Sequence, residues 1–184
     1  MNVPLLRPLA EAYKRRRHTL GFGVHSPLAY YLVRNVVRDW HSYRYYCFHD
    51  FDVMTSGADD RWLWRRRARV VHRLVARMRP VDVRWIGEPE PVIRHAVETA
   101  IPRRGEGRLT IAVAPDRDTI DGILEGMAAD DNAGKTMLLL LGVSGKEIER
   151  TAGAIPSGVV LTGKDSLLAV VTKKVVKVRY TVVL

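Results

Sequence analysis

The sequence predicts an α/β fold: a mostly parallel sheet with a C-terminal antiparallel hairpin, preceded by an N-terminal helical extension. Three observations carry this. From residue 81 onward, short apolar runs alternate with amphipathic stretches, the pattern of successive strand–helix units. Residues 136–143 are almost continuously apolar, as in a strand buried on both faces. Two apolar runs near the end, 167–172 and 176–183, flank Lys173-Lys174 and read as a hairpin. The 184 residues suffice for one domain with a proper core. Residues 1–60 read as the helical and aromatic extension and 61–184 as the α/β domain, together one compact unit.

Each element has its own signal. Residues 5–17 predict a helix that ends in the basic run Lys14-Arg15-Arg16-Arg17. Gly21-Phe22-Gly23-Val24 is a break. Ser26-Pro27 then starts a helix over 28–40, with Ser26 as N-cap and Pro27 at the first helical position. Residues 43–51 are dense in aromatics and poor in helix signals, and predict an irregular segment. A loop over 55–60 precedes a helix over 61–79. Its buried stripe is Leu63, Val70, Val71, Leu74, Val75 and Met78. Residues 81–87 read as a strand and 92–100 as a helix. Residues 102–107 form a turn, 108–114 a second strand and 118–129 its helix. A loop over 130–135 leads to the strand at 136–143. Ser144 and Glu147 predict a capping box for a helix over 144–154. Residues 158–162 give one more strand before the hairpin.

Composition narrows the function. No apolar run approaches the roughly 20 residues of a membrane span, and the N-terminus lacks the pattern of a secretory signal. The single cysteine, Cys47, has no internal disulfide partner, and a reducing cytoplasm is the expected compartment. One cysteine among scattered histidines does not make a zinc site. The formal charge is +10. All of it lies in residues 1–80, with 16 Lys and Arg against 6 Asp and Glu, whereas residues 81–184 hold 14 of each. Arg61, Arg65, Arg69, Arg73 and Arg77 recur every four residues on one helix. Like charges at that spacing cost about 0.2–0.5 kcal/mol per pair. The ridge therefore needs acidic partners elsewhere in the fold or an external anion such as nucleic acid. On the second reading Arg65, Arg69 and Arg73 are the anion-binding residues.

The turn after the first strand is the natural place for a cofactor in such a fold. That turn needs small residues so that backbone N–H groups can reach the ligand. Here it is Gly87-Glu88-Pro89-Glu90-Pro91. The prolines remove two N–H donors, and the glutamates put negative charge at the positive end of the helix. Glu88 and Glu90 read as complements to that helix dipole, with binding of a cation or an amine at the same crevice as the alternative. His25 reads as a buried hydrogen-bonding residue and Ser26 as a plain cap. Gly134-Lys135-Thr136 lacks the upstream glycine and the following helix of a phosphate loop. Gly142-Val143-Ser144-Gly145, at the end of a strand, is the better-placed pocket candidate, with Ser144 also a cap.

Two segments resemble a family. Gly23-Val24-His25-Ser26-Pro27-Leu28-Ala29-Tyr30-Tyr31-Leu32-Val33, followed by Tyr43-Arg44-Tyr45-Tyr46, resembles the N-terminal G-x-H-S-P-F region of a bacterial group of S-adenosylmethionine (SAM) dependent methyltransferase-like proteins. Residues 159–171, running into Tyr180-Thr181-Val182-Val183-Leu184, look like that group's C-terminal strands. Residues 70–79 with 81–87 are similar to its helix and first strand. The resemblance implies a reduced Rossmann-like, class I methyltransferase-like sheet. It also implies a small-residue E-x-G-x-x-G loop after the first strand, of which Gly87 alone has a counterpart. An acidic residue ending the second strand should bind the ribose. If residues 108–114 correspond to the fourth strand, strands two and three are missing and that acid with them. If they are the second strand, Asp116 or Asp118 would meet the ribose. The family's late acidic-aromatic motif stands here as Leu141-Gly142-Val143-Ser144-Gly145, with no acid.

The expectation is thus a methyltransferase-like protein that has lost SAM binding and acts as an interaction or regulatory module, as a homodimer or with another protein. An active SAM enzyme with a divergent loop and an arginine-rich anion-binding module are the alternatives. If SAM binds, the cofactor residues would be Gly87, Glu88, Asp116 and Ser144. No catalytic residue is assigned and no metal is expected.

Overall fold

The computed structural model describes residues 6–21, 23–38, 47–100, 107–129 and 135–184. The strands are β1 (Asp82–Ile86), β2 (Arg108–Val113), β3 (Thr136–Leu141), β4 (Val159–Thr162), β5 (Ser166–Val171) and β6 (Val178–Thr181). They form one sheet in the order β1-β2-β3-β5-β4-β6. β1, β2 and β3 are parallel, β5 runs against both β3 and β4, and β6 is parallel to β4. Five strands therefore share one direction and β5 opposes them.

This corrects the expected terminal hairpin. β5 and β6 do not pair, because β4 lies between them. The hairpin joins β4 to β5 instead, where the Gly163 N–H donates to the Ser166 carbonyl at 2.7 Å. The burial pattern gives the reason. β5 is buried at every position but its last and suits the middle of a sheet, whereas β6 is half exposed and suits an edge. The link from β5 to β6 crosses the start of β4. There Gly158 donates to Val175 at 2.9 Å and accepts from Val178 at 2.9 Å. At Gly158 (φ 98°) a Cβ would sit 2.2 Å from the Val170 carbonyl oxygen, so the crossing needs glycine.

The helices are α1 (Leu6–Thr19), α2 (Pro27–Leu32), α3 (Cys47–Met54), α4 (Arg61–Met78), α5 (Pro91–Glu98), α6 (Arg117–Ala129) and α7 (Gly145–Ala154). α2 runs into a π-helical turn, Val33–Val37. Ser26 caps α2 as expected, accepting from Ala29 N at 3.4 Å, and Pro27 opens the helix. Ser144 caps α7, accepting from Glu147 N at 3.3 Å. The Glu147 carboxylate turns to Arg150 Nε at 2.6 Å, so one half of the expected capping box is spent on an ion pair. The irregular segment expected over 43–51 is corrected in part. Residues 47–54 are helical, with Phe48 and Phe51 buried, while 43–46 lie outside the described residues. Of the expected turn over 102–107 and loop over 130–135, residues 102–106 and 130–134 also lie outside them.

Alternating strand residues feed two cores. One face carries Leu109, Ile111, Met137, Leu139 and Leu168 and is covered by α2, the π-turn, α3, α4 and α5. The other carries Ala112, Leu138, Leu140 and Leu167 and is covered by α6 and α7. The consequence is topological. The steps from β1 to β2 and from β2 to β3 go the same way across the sheet, between parallel strands. Yet α5 lies on one face and α6 on the other. The two crossovers must have opposite hand. The step from β3 to β4 through α7 agrees with the one through α6, which leaves β1-α5-β2 as the odd unit. Right-handed crossovers make up about 98% of such connections, so a reversed one is a strong anomaly.

Among the described residues, no helix is long and apolar enough to cross a membrane.

Candidate functional site

The crevice at the carboxyl ends of β1, β2 and β3 is where a cofactor would sit. Gly87 follows β1 with φ 78°. A Cβ at Gly87 would lie 2.6 Å from the Val113 carbonyl oxygen at the end of β2. Neighbouring backbone thus demands this glycine, with no ligand involved. Pro89 is buried within the turn, and Glu88 is exposed with Arg94 Nη2 3.7 Å from its Oε1. Glu90 occupies the N-cap of α5 without a side-chain cap bond, and Pro91 supplies no N–H.

Asp116 follows β2, beside β1, but its Oδ1 accepts from Thr119 N at 2.9 Å and so caps α6. Hydrogen bonds from the Thr119 hydroxyl and N–H hold its carboxyl below the usual range. Ser144 is likewise committed to its cap. The structure therefore brings Gly87, Asp116 and Ser144 to one end of the sheet, each serving a local structural purpose. The loop offers few backbone donors, its glycine is closed against Val113, and Asp116 is a helix cap.

His25 is exposed, which corrects its reading as a buried residue; its backbone N–H donates to the Tyr180 hydroxyl at 3.2 Å. His18 is half-buried instead. Its Nδ1 lies 3.1 Å from the Thr181 carbonyl and its ring meets Tyr180 edge-on. Burial is the main cause of its lowered pKa. Burial also pushes the Cys47 thiol up, away from nucleophilic character.

The arginine ridge does not stay on one surface. Arg61 is exposed, and Arg65 Nε and Arg69 Nη2 each lie 2.8 Å from Asp52 Oδ1 on α3. Arg73 is only 5% exposed. It donates to the carbonyls of Val36 at 2.7 Å and Val37 at 3.1 Å. It thereby caps the π-turn, where helix-end carbonyls lack intrahelical partners and favour a cation. Arg77 emerges again. Acidic and carbonyl partners within the fold thus account for the middle of the ridge.

Beside it opens a cavity of about 520 Å³. Arg65, Arg69 and Arg73 line it, joined by Arg16, Arg38 and Arg66. Arg66 Nη2 donates to the Val183 carbonyl at 2.5 Å, and burial lowers its pKa. Sequence spacing singled out three of these six. Arg66 lies off the four-residue period, and Arg16 and Arg38 arrive from α1 and from the end of the π-turn, so no local signal could assemble them.

No protein-family model matches the chain, and neither the curated proteins nor the solved structures contain a match to it.

Proposed function

We propose that this chain is a methyltransferase-like scaffold that has lost SAM binding and works through its surfaces, as an interaction or regulatory module. The reversed hand of β1-α5-β2 carries the reading. In a complete doubly wound sheet the chain leaves strand one in one direction, builds strands two and three, and returns to strand four on the other side. Helices on the outward journey cover one face and those after the return cover the other. Deleting everything between the first helix and the fourth strand gives the arrangement found here, with α5 and α6 on opposite faces. β2 then corresponds to the fourth strand and β3 to the fifth. The acidic end of the second strand, which would hold the ribose, goes with the deletion. Taking β2 as the second strand would place α5 and α6 on the same face.

The turn supports the same conclusion, since Pro89, Glu88 and Glu90 fill the position of a phosphate- or cofactor-binding loop. Isothermal titration calorimetry with SAM and with its demethylated product tests this. Absence of saturable heat up to millimolar ligand is the expected result. Micromolar, saturable binding would overturn it.

A further inference from the structure

We propose that the arginine-lined cavity is part of a groove that binds single-stranded nucleic acid, with phosphates held by arginines and bases stacked on Trp62 and Tyr13. The groove shares no residue with the crevice beside Gly87, so it stands whether or not SAM binds. The cavity brings six guanidiniums together, and among the described residues no Asp or Glu lines it. Two of the six share the Asp52 carboxylate. Arg66 is held by a carbonyl oxygen, which positions a guanidinium without cancelling its charge. An anion entering the cavity therefore meets pre-positioned cations.

A second cavity of about 440 Å³ adjoins it, sharing Arg16 and Leu20 and adding Tyr13 and Arg17. The floor of arginines thus continues along α1. Large aromatics stand exposed on it: Trp62 is 63% and Tyr13 64% exposed. Each is partnered by an arginine, Arg66 at 5.6 Å from the Trp62 centroid and Arg17 at 5.9 Å from that of Tyr13. Alternating guanidinium and aromatic faces are the chemistry that binds unpaired bases and their phosphates. Exposed rings argue against an inorganic anion as the natural occupant. The recession of the arginines into a cavity argues against a flat anionic membrane.

The test is fluorescence anisotropy of the full chain with labelled single-stranded RNA and DNA 12-mers. Contact with about four phosphates predicts a log–log salt slope near −2.8, so affinity should fall about 50-fold between 50 and 200 mM salt. Trp62→Ala and Arg16→Glu, both at the surface, should each weaken binding about 10-fold. Lys146→Glu on the opposite face makes the same charge change as Arg16→Glu and should leave affinity within twofold. Circular dichroism melts confirm that the variants are folded. The proposal is overturned if Lys146→Glu weakens binding as much as Arg16→Glu, if Trp62→Ala has no effect, or if the oligomers do not bind. It also fails if phosphatidylserine vesicles, polyglutamate or duplex DNA bind more tightly than the single strands.

Discussion

Arg67 Nη2 lies 2.7 Å from Asp165 Oδ2, joining the middle of α4 to the turn between β4 and β5. Arg67 is 5% exposed and its guanidinium stacks over Trp64 at 4.9 Å. Asp165 is 40% exposed and its carbonyl also accepts from Val143 N at 3.0 Å. A buried guanidinium depends on its carboxylate, while an apolar side chain in the same place does not. Asp165→Ala should therefore destabilise the protein by about 2 kcal/mol, below the usual cost of breaking a buried pair because the carboxylate is partly solvated. Arg67→Met added to Asp165→Ala should recover most of the loss. Urea denaturation of the single and double variants measures both. Additive losses would show that the pair is not coupled.

His72 predicts a pH dependence. It is almost fully buried on α4, with its ring edge-on to Phe48 and close to Phe51. Burial, aided by the charges of Arg73 and His95, lowers its pKa from 6.5 to about 4. The unfolded chain takes up a proton near pH 6.5 that the folded chain refuses until about pH 4. Above pH 6.5 this group adds no pH dependence, and below it stability falls as pH falls. The loss between pH 7 and pH 5 should be on the order of 2 kcal/mol. His72→Leu should remove that share of the slope, leaving the carboxylates and His18 to supply the rest. Equal slopes for the two proteins in urea titrations would contradict the assignment.

What could be read in advance follows how local each cause is. Ser26 and Ser144 were legible as caps because a cap bond reaches only three residues along the chain. The α4 stripe was legible at Val70, Val71, Leu74 and Val75 because its period reports burial directly. The place of β5 was not, because the choice of neighbour is made across the sheet and two apolar runs beside a turn look alike whether or not they pair. The missed helix α3 buries Phe48 and Phe51, whose aromatic rings read as irregular packing and concealed the helical spacing. At the candidate sites, Gly87 was visible as the end of a strand, but its reason, the Val113 carbonyl, sits on another strand. The six-arginine cavity depends on α1, the end of the π-turn and α4 converging, which no single stretch of sequence announces.

Two residues in left-handed conformation should respond in opposite directions. Arg79, at the C-cap of α4, has φ 51° and an exposed side chain. Glycine prefers that conformation, so Arg79→Gly should be neutral to stabilising, by up to about 1 kcal/mol. Gly87 has φ 78° and backbone 2.6 Å from where its Cβ would be. Gly87→Ala should cost more than about 2 kcal/mol, since conformational strain and a backbone clash add. Thermal and urea denaturation give both values. An unaltered Gly87→Ala protein would show that the loop can shift, and would reopen the crevice to a ligand.

β1 stands at one end of the strand order. Among the described residues β1 has β2 on one side and no strand on the other. An unpaired edge carries free N–H and C=O groups that invite another strand, and charged side chains are the common deterrent. Here Asp82 and Arg84 alternate along the edge, both exposed, and both line a cavity of about 390 Å³ beside α6. Val81 just before them is 70% exposed, so the apolar component is already present. Replacing the charges, Asp82→Thr with Arg84→Val, keeps strand propensity and removes the deterrent. The double variant should self-associate more strongly than the parent protein, seen as a shift to higher mass in light scattering after size exclusion. Added salt should make the parent protein follow it part of the way, because screening weakens the same charges. If both proteins elute alike over a wide concentration range, the charges do not guard the edge, and its protection must come from the twist of the strand or from neighbouring chain.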